Sequence, residues 1–215
     1  MQYKALLFDM DGVVIDSQEE VERFWNIVAE KHHMKLTPSD FEKHIYGCPA
    51  QHTLDHLFGK LSKEELDEVY QFEYEFEKNQ RYKEIKGVGD FLRQLQKLEI
   101  PTALVTSAEH LKIDEVFKQL HLEGLFHVVV SVEDIQRGKP HPDCYLAAAD
   151  KLCVPAEECI VFEDSISGTE AAIAAGASCI GIQSKESIAR TLKAKGAKEV
   201  LKSFENFDPH QLLKL

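Results

Sequence analysis

Two carboxylates stand two residues apart in Asp9-Met10-Asp11-Gly12, directly after the apolar run Tyr3 to Phe8. On an extended chain such residues point to the same side about 6.6 Å apart, so Asp9 and Asp11 can flank one small reacting group or help to hold one cation. The same tetrapeptide also reads as a solvated loop that ends on a turn glycine. Three further polar clusters share this placement, each close behind an apolar run of strand length. Thr106-Ser107 follows Thr102 to Val105. Hydroxyls and backbone N–H groups at the start of a helix suit a phosphoryl oxygen, although Thr106 taken alone reads first as an N-cap. Lys139 lies in Arg137-Gly138-Lys139-Pro140-His141-Pro142, beyond His127 to Val130. Restrained between glycine and proline, it can offer a point charge to phosphate, though in isolation it is an ordinary surface lysine. Glu163-Asp164 closes Cys159 to Phe162. These are hard oxygen donors suited to magnesium, or else acidic residues favoured at a helix N-terminus.

The elements that must position these groups alternate. Apolar runs at Tyr3 to Phe8, Thr102 to Val105, His127 to Val130, Cys159 to Phe162 and Ser178 to Ile182 are each followed by a longer stretch of helical period, and Glu199 to Leu201 adds a weaker edge candidate. Alternating strand and helix predicts a parallel sheet covered on both faces, in three layers of Rossmann-like type, with ligands bound beyond the carboxyl ends of the strands. The segment from Ser17 to Lys86 breaks the rhythm because it reads as helix throughout and exceeds what a crossover needs. Thr37 before Pro38 marks one helix start, and Ser62 with Glu65 forms a capping box. The chain therefore divides into a core of residues 1–16 and 87–215 and an inserted helical domain of residues 17–86. Its two connections, near Ser17 and near Lys86, make a hinge. Asp208-Pro209 opens a short closing helix.

Composition narrows the function. With 25 Lys+Arg against 37 Asp+Glu the formal charge is -12, which disfavours nucleic acid and anionic membranes as partners. It also means that an anionic substrate would require a cation or a few focused positive groups. No apolar run approaches the ~20 residues of a membrane span, and Ala5 to Phe8 is too short for a signal peptide's apolar region. A cytoplasmic protein is expected. The five cysteines are odd in number and contain no C-x-x-C pair, which fits reduced thiols. His44, Cys48, His52 and His56 recur every four residues, but Gly47 and Pro49 interrupt the helix that would align them, and His52-Thr53-Leu54-Asp55-His56 lacks the glutamate of H-E-x-x-H. A solvated helical face is the expectation there.

The order D-x-D-G, T-S, G-K-P and E-D at successive strand ends resembles the haloacid dehalogenase superfamily over nearly the whole chain. The helical insert resembles that family's alpha-helical cap, and the nearest subgroup holds beta-phosphoglucomutase and many small-molecule phosphatases. The resemblance implies Asp9 as the nucleophile that accepts the phosphoryl group and Asp11 as general acid and then base. It implies Thr106 as a phosphoryl-oxygen donor and Lys139 as the compensating charge. Magnesium would be held by Asp9, the Asp11 backbone carbonyl and Asp164, with Glu163 a ligand or its partner. Ser107 and the loop residues Tyr46, Gly47 and Cys48 would face the substrate. The subgroup's mutase carries a histidine soon after the first motif and basic residues around the cap loop. Here those stretches read Glu19-Glu20-Val21 and Ile45-Tyr46-Gly47-Cys48-Pro49-Ala50. The expectation is a monomeric phosphatase for a small phosphorylated metabolite. A sugar phosphomutase and a binding module without turnover are the alternatives.

Overall fold

The computed structural model describes residues 3–59 and 61–214; Met1, Gln2, Lys60 and Leu215, which the expected domain spans and closing helix include, lie outside the described residues. Six strands, β1 (Ala5–Phe8), β2 (Thr102–Val105), β3 (Val128–Val130), β4 (Cys159–Glu163), β5 (Ser178–Ile182) and β6 (Glu199–Leu201), form one parallel sheet in the order β3-β2-β1-β4-β5-β6. The register pairs Phe8 with Leu104 and Phe162, and Val105 with Val130. The carboxyl ends of β1, β2, β3 and β4 therefore reach one edge, where the four polar clusters begin. β1, β2 and β4 are buried at every position, which explains their near-continuous apolarity. Glu163 is the last residue of β4 and not the first beyond it.

The helical insert contains α1 (Gln18–Lys31), α2 (Pro38–Asp40), α3 (Ala50–Thr53) and α4 (Lys63–Lys78), with widened helical turns at Phe41–Ile45 and Leu54–Phe58. It has a core of its own, in which Phe24, Trp25, Leu54 and Phe58 are buried and Phe24 stacks on Phe72 with ring centres 5.4 Å apart. Its helix starts follow the sequence. Ser62 Oγ accepts from Glu65 N at 3.2 Å while Glu65 returns a bond to Ser62 N at 2.7 Å. Thr37 and Asp40 form an equivalent reciprocal pair. The two connections run side by side: Asp16 N donates to Lys83 O at 2.8 Å, and Ile85 N to Val14 O at 2.9 Å.

The remaining helices cover the two faces of the sheet. α5 (Val88–Lys97) and α6 (His110–Leu120) pack on an aromatic side in which Phe8 stacks on Phe162 at 4.8 Å between ring centres. α7 (Asp143–Lys151), α8 (Ile166–Ala174) and α9 (Glu186–Ala194) pack on a side of small residues, including Ala103, Ala148, Ala171 and Cys179. Pro209–Lys214 is a short 3₁₀ turn. No described helix is long and apolar enough to cross a membrane, and all five cysteines are free.

Candidate active site

At the end of β1 the sheet hydrogen bonding reaches one residue further, with Asp9 N donating to Phe162 O at 3.0 Å. The chain then turns back on itself, because the Met10 carbonyl accepts from both Val14 N (2.8 Å) and Ile15 N (2.9 Å). Gly12 makes this possible. Its φ is +76°, and a Cβ there would lie 2.0 Å from Asp164 Oδ2, so only glycine allows the first and last motifs to approach. Asp9 is thereby held almost out of solvent, at 3% exposure, beside Asp164.

Lys139 is not at the surface. It is 2% exposed, and its Nζ lies 2.6 Å from both Asp9 Oδ1 and Glu163 Oε1. The Tyr145 hydroxyl also donates to Glu163 Oε1, while Glu163 Oε2 accepts from Asp164 N, Ser165 N and Ser165 Oγ. Both Glu163 oxygens are thus occupied. Burial alone would raise the pKa of this carboxyl, but Lys139, Tyr145 and the Ser165 backbone hold it below the ordinary range. Burial opposes the Lys139 charge, and the two carboxylates outweigh it and keep the ammonium protonated.

Asp9 and Asp164 differ from Glu163. Burial pushes Asp9 up to about 7, with Glu163 and Asp11 adding to it and Lys139 opposing. Asp164 is raised by burial first and then by Glu163 and Asp9. Oxygens of Asp9, Glu163 and Asp164 lie within 4.8 Å of one another. One ammonium against three crowded carboxylates leaves a deficit of positive charge, and the donors are all hard oxygens. A magnesium ion fits that deficit in both charge and ligand type. The Asp11 side chain does not join this cluster.

Asp11 instead has partners that the sequence did not suggest. Its Oδ1 accepts from Ser17 Oγ at 2.6 Å and from Lys112 Nζ at 2.9 Å. Lys112 projects from α6 and also lies 3.5 Å from Glu77 Oε1 on α4, and Glu77 accepts a bond from the Tyr82 hydroxyl. One lysine thus connects the first motif, a core helix and the helical insert. Burial works against its charge, but Asp11 and Glu77 hold it protonated. In the sequence Lys112 is one surface-type residue of an amphipathic helix. Tyr145 is likewise hidden in the apolar pattern of α7, since nothing local marks either as part of a site.

Thr106 is buried, and its hydroxyl accepts from Ala108 N at 3.1 Å. The N-cap position of α6 falls on Glu109, so Thr106 closes a small turn at the site edge and does not cap the helix. The Ser107 hydroxyl donates to Gly47 O at 3.1 Å. That bond fastens the Tyr46–Cys48 loop, so the backbone N–H is what Ser107 can offer to a ligand. Ser167 Oγ donates to Tyr46 O at 3.0 Å. Gly47, at φ +70°, sits so close to α8 that a Cβ would meet Ser165 Oγ at 2.3 Å. The Tyr46 hydroxyl is turned to α1, where it donates to Glu22 Oε1 at 2.5 Å. Cys48 is half-buried beside Ser167, and burial raises its thiol pKa. The loop roofs a cavity of about 400 Å³ whose lining includes Asp9, Asp11, Thr106, Ser107, Lys112 and Asp164. The far wall, from the insert, includes Trp25, Tyr70, Glu73 and Tyr74.

The structure departs from the expected solvated face at His44, His52 and His56. The chain reverses at Gly47 to Pro49, and the break that rules out one continuous helix folds His44 back beside the other two. A ring nitrogen of each lies within 4.8 Å of the others, while Cys48 stays outside the cluster.

A family model for haloacid dehalogenase-like hydrolases matches residues 6–182. The Phosphorylated carbohydrates phosphatase of Thermotoga maritima is 34% identical over 177 residues, covering 80% of this chain and 82% of that protein. Hexitol phosphatase A of Escherichia coli is 34% identical over 187 residues, covering 85% of this chain and 84% of its own. Among solved structures, a putative beta-phosphoglucomutase from Thermotoga maritima superposes with a TM-score of 0.69 at 29% identity, over 100% of this chain and 97% of its own.

Proposed function

The chain belongs to the haloacid dehalogenase-like hydrolases and is a hydrolase of phosphate monoesters, and from that premise we propose that it is a magnesium-dependent phosphatase for a sugar phosphate or related small metabolite. The observation that carries the proposal is the placement of Asp9 and Thr106 directly after two adjacent strands, with Lys139 against Asp9 and Asp11 lining the same cavity. A carboxylate oxygen of Asp9 attacks phosphorus and the ester P–O bond breaks, leaving an aspartyl phosphate. Asp11 gives its proton to the departing alkoxide, and its carboxylate then takes one from the water that attacks the phosphoryl group. That second displacement breaks the acyl phosphate, releases inorganic phosphate and restores Asp9. Both Asp11 bonds fall on Oδ1, which leaves Oδ2 to carry the proton.

Thr106 and the Ser107 backbone orient phosphoryl oxygens, and Lys139 balances charge on Asp9 as the phosphoryl group arrives. Asp9, Asp164 and the Asp11 backbone carbonyl would hold a magnesium ion, which would supply Lewis acidity and neutralise phosphoryl charge. Glu163, with both oxygens occupied, serves behind these ligands by fixing Lys139 and the turn at Ser165. The docked loop at Tyr46 to Cys48 and the paired connections support a cap that opens to admit substrate and closes to shield the phosphoenzyme.

The character of the far wall favours hydrolysis over mutase chemistry. Beyond the carboxylates proposed for the metal it brings Glu20, Glu73 and Glu77 to the cavity, the core adds Glu109, and Lys112, the cation among the described lining residues, is already paired with Asp11 and Glu77. A bisphosphate's second phosphate would face carboxylates there. The names of the two bacterial relatives point to carbohydrate and hexitol phosphates as a substrate class. The test is phosphate release from a panel of phosphorylated metabolites, with and without magnesium, in a cytoplasm-like buffer. The proposal expects release that a chelator abolishes. Isomerisation of a sugar phosphate without release would favour the mutase, and binding without turnover would favour the inert module.

A further inference from the structure

We propose that His44, His52 and His56 form a second metal site, built of nitrogen donors and suited to a borderline transition-metal ion such as zinc, on the helical insert. The proposal does not rest on the phosphatase reading. His44 Nδ1 and His52 Nε2 lie 3.5 Å apart. Two ligands on a tetrahedral zinc with bonds near 2.05 Å are separated by about 3.4 Å, so this pair already spans one edge of such a site. His52 and His56 are four residues apart on the continuous helical path of α3 and the Leu54–Phe58 turn, with ring centres 4.0 Å apart. Converging on an ion requires their stacked rings to tip, which is a side-chain rotation on a backbone already in place.

The bonding around the cluster suits ligation. The His52 carbonyl lies 2.8 Å from His56 Nδ1, and a donated bond there leaves Nε2 bearing the lone pair. Metal-bound histidines commonly make such an outer bond, which sets the tautomer and aims the ring. His52 is half-buried, and its ring stacks on those of both neighbours. Imidazole nitrogen selects zinc, copper or nickel over magnesium, which separates this site from the Asp9–Asp164 carboxylates. Three protein ligands leave the fourth position for water.

Occupancy would have a structural consequence. His44 lies on the Phe41–Ile45 turn and His52 on α3, and the segment between them is the loop whose Tyr46 and Gly47 carbonyls dock on Ser167 and Ser107. A bond from Thr53 Oγ1 to His44 O, at 2.6 Å, already ties the two sides together. An ion would close the base of that loop and stiffen the cavity roof.

The test uses the full chain, stripped with chelator, saturated with magnesium to fill the carboxylate site, and then titrated with zinc by calorimetry and with copper(II) by electron paramagnetic resonance. One zinc equivalent should bind, and the copper spectrum should show coupling to imidazole nitrogen. Exposed His56 tolerates exchange, so His56→Gln should keep the wild-type melting temperature without zinc yet weaken zinc binding at least tenfold. His44→Gln should do the same, whereas Asp164→Asn should leave zinc stoichiometry unchanged. No zinc uptake above the magnesium background overturns the proposal, as does zinc affinity that both histidine variants retain.

Discussion

On the sheet side of the cavity Asp9, Lys139 and Glu163 are joined by 2.6 Å contacts and almost sealed from solvent, whereas on the helical side Tyr70 and Tyr74 face the same space while 36% and 44% exposed. The first wall derives its precision from strand register and from the cost of leaving a buried charge unpaired. The second is assembled from helix faces and one loop that touches the core through backbone carbonyls. Under the proposed function, chemistry is fixed where the sheet ends, and substrate choice is left to a surface that can change without disturbing it.

The sharpest way to break this contrast is to remove the sealed cation. In Lys139→Met two carboxylates lose their partner, and phosphate release should fall roughly 10³-fold. Urea unfolding in the presence of chelator should show a loss of about 3–5 kcal/mol. Loss of activity without loss of stability would mean that the sheet wall is less dependent on its ion pairs than its geometry implies. Arg137→Ala, which removes the exposed pair with Asp143, should change neither quantity measurably.

Asp164→Asn tests the cation more narrowly. It removes a carboxylate that has no lysine partner among the described residues, so the magnesium concentration for half-maximal activity should rise about 10- to 100-fold while the fold survives. An unchanged magnesium requirement would place the ion elsewhere.

On the helical side, Gly47→Ala should cost about tenfold in kcat/KM, because the new methyl group must push the loop from Ser165. Melting temperature should fall by only a few degrees, since alanine at φ +70° is strained while the core of the insert stays intact. If activity is unchanged, the loop does not need its docked position for turnover.

The smallest expected effect concerns pH. Glu73 is held up at about 7, by burial first and then by Glu77 and Glu109, with Lys112 opposing, against an ordinary value of 4.5. The folded chain then holds a proton that the unfolded chain gives up, so Glu73 lowers stability as pH rises from about 4.5 to 7. Glu73→Gln removes that loss. The variant should match wild type near pH 4.5 and exceed it by about 1 kcal/mol at pH 8, allowing for the partial exposure of Glu73. Equal stability at both values would show that Glu73 is well solvated.

The same contrast explains what was legible in the sequence. All six strands fall where the apolar runs predict, most plainly β1, β2 and β4, which are buried on both faces and write their position in composition. The four polar clusters follow from strand ends, and Ser62 with Glu65 from local capping chemistry. Lys112 and Tyr145 were invisible because each meets its partner through tertiary packing, across 101 and 18 residues of chain. His44, His52 and His56 depart from the sequence expectation for a related reason: a helix break argues against one shared face, but a break followed by a reversal brings residues together. The two widened turns that complete this path leave no mark in the hydrophobic period.

The central claim is that Asp9 carries the phosphoryl group, and mass spectrometry of the Asp11→Asn protein tests it most directly. Supplied with magnesium and an activated aryl phosphate, whose leaving group needs little protonation, this variant should form the acyl phosphate and stall for want of a base. The account predicts a single phosphoryl adduct on the peptide containing Asp9, absent when Asp9→Asn is added. An adduct on another residue, or steady release of phosphate by the Asp9→Asn protein, would contradict it.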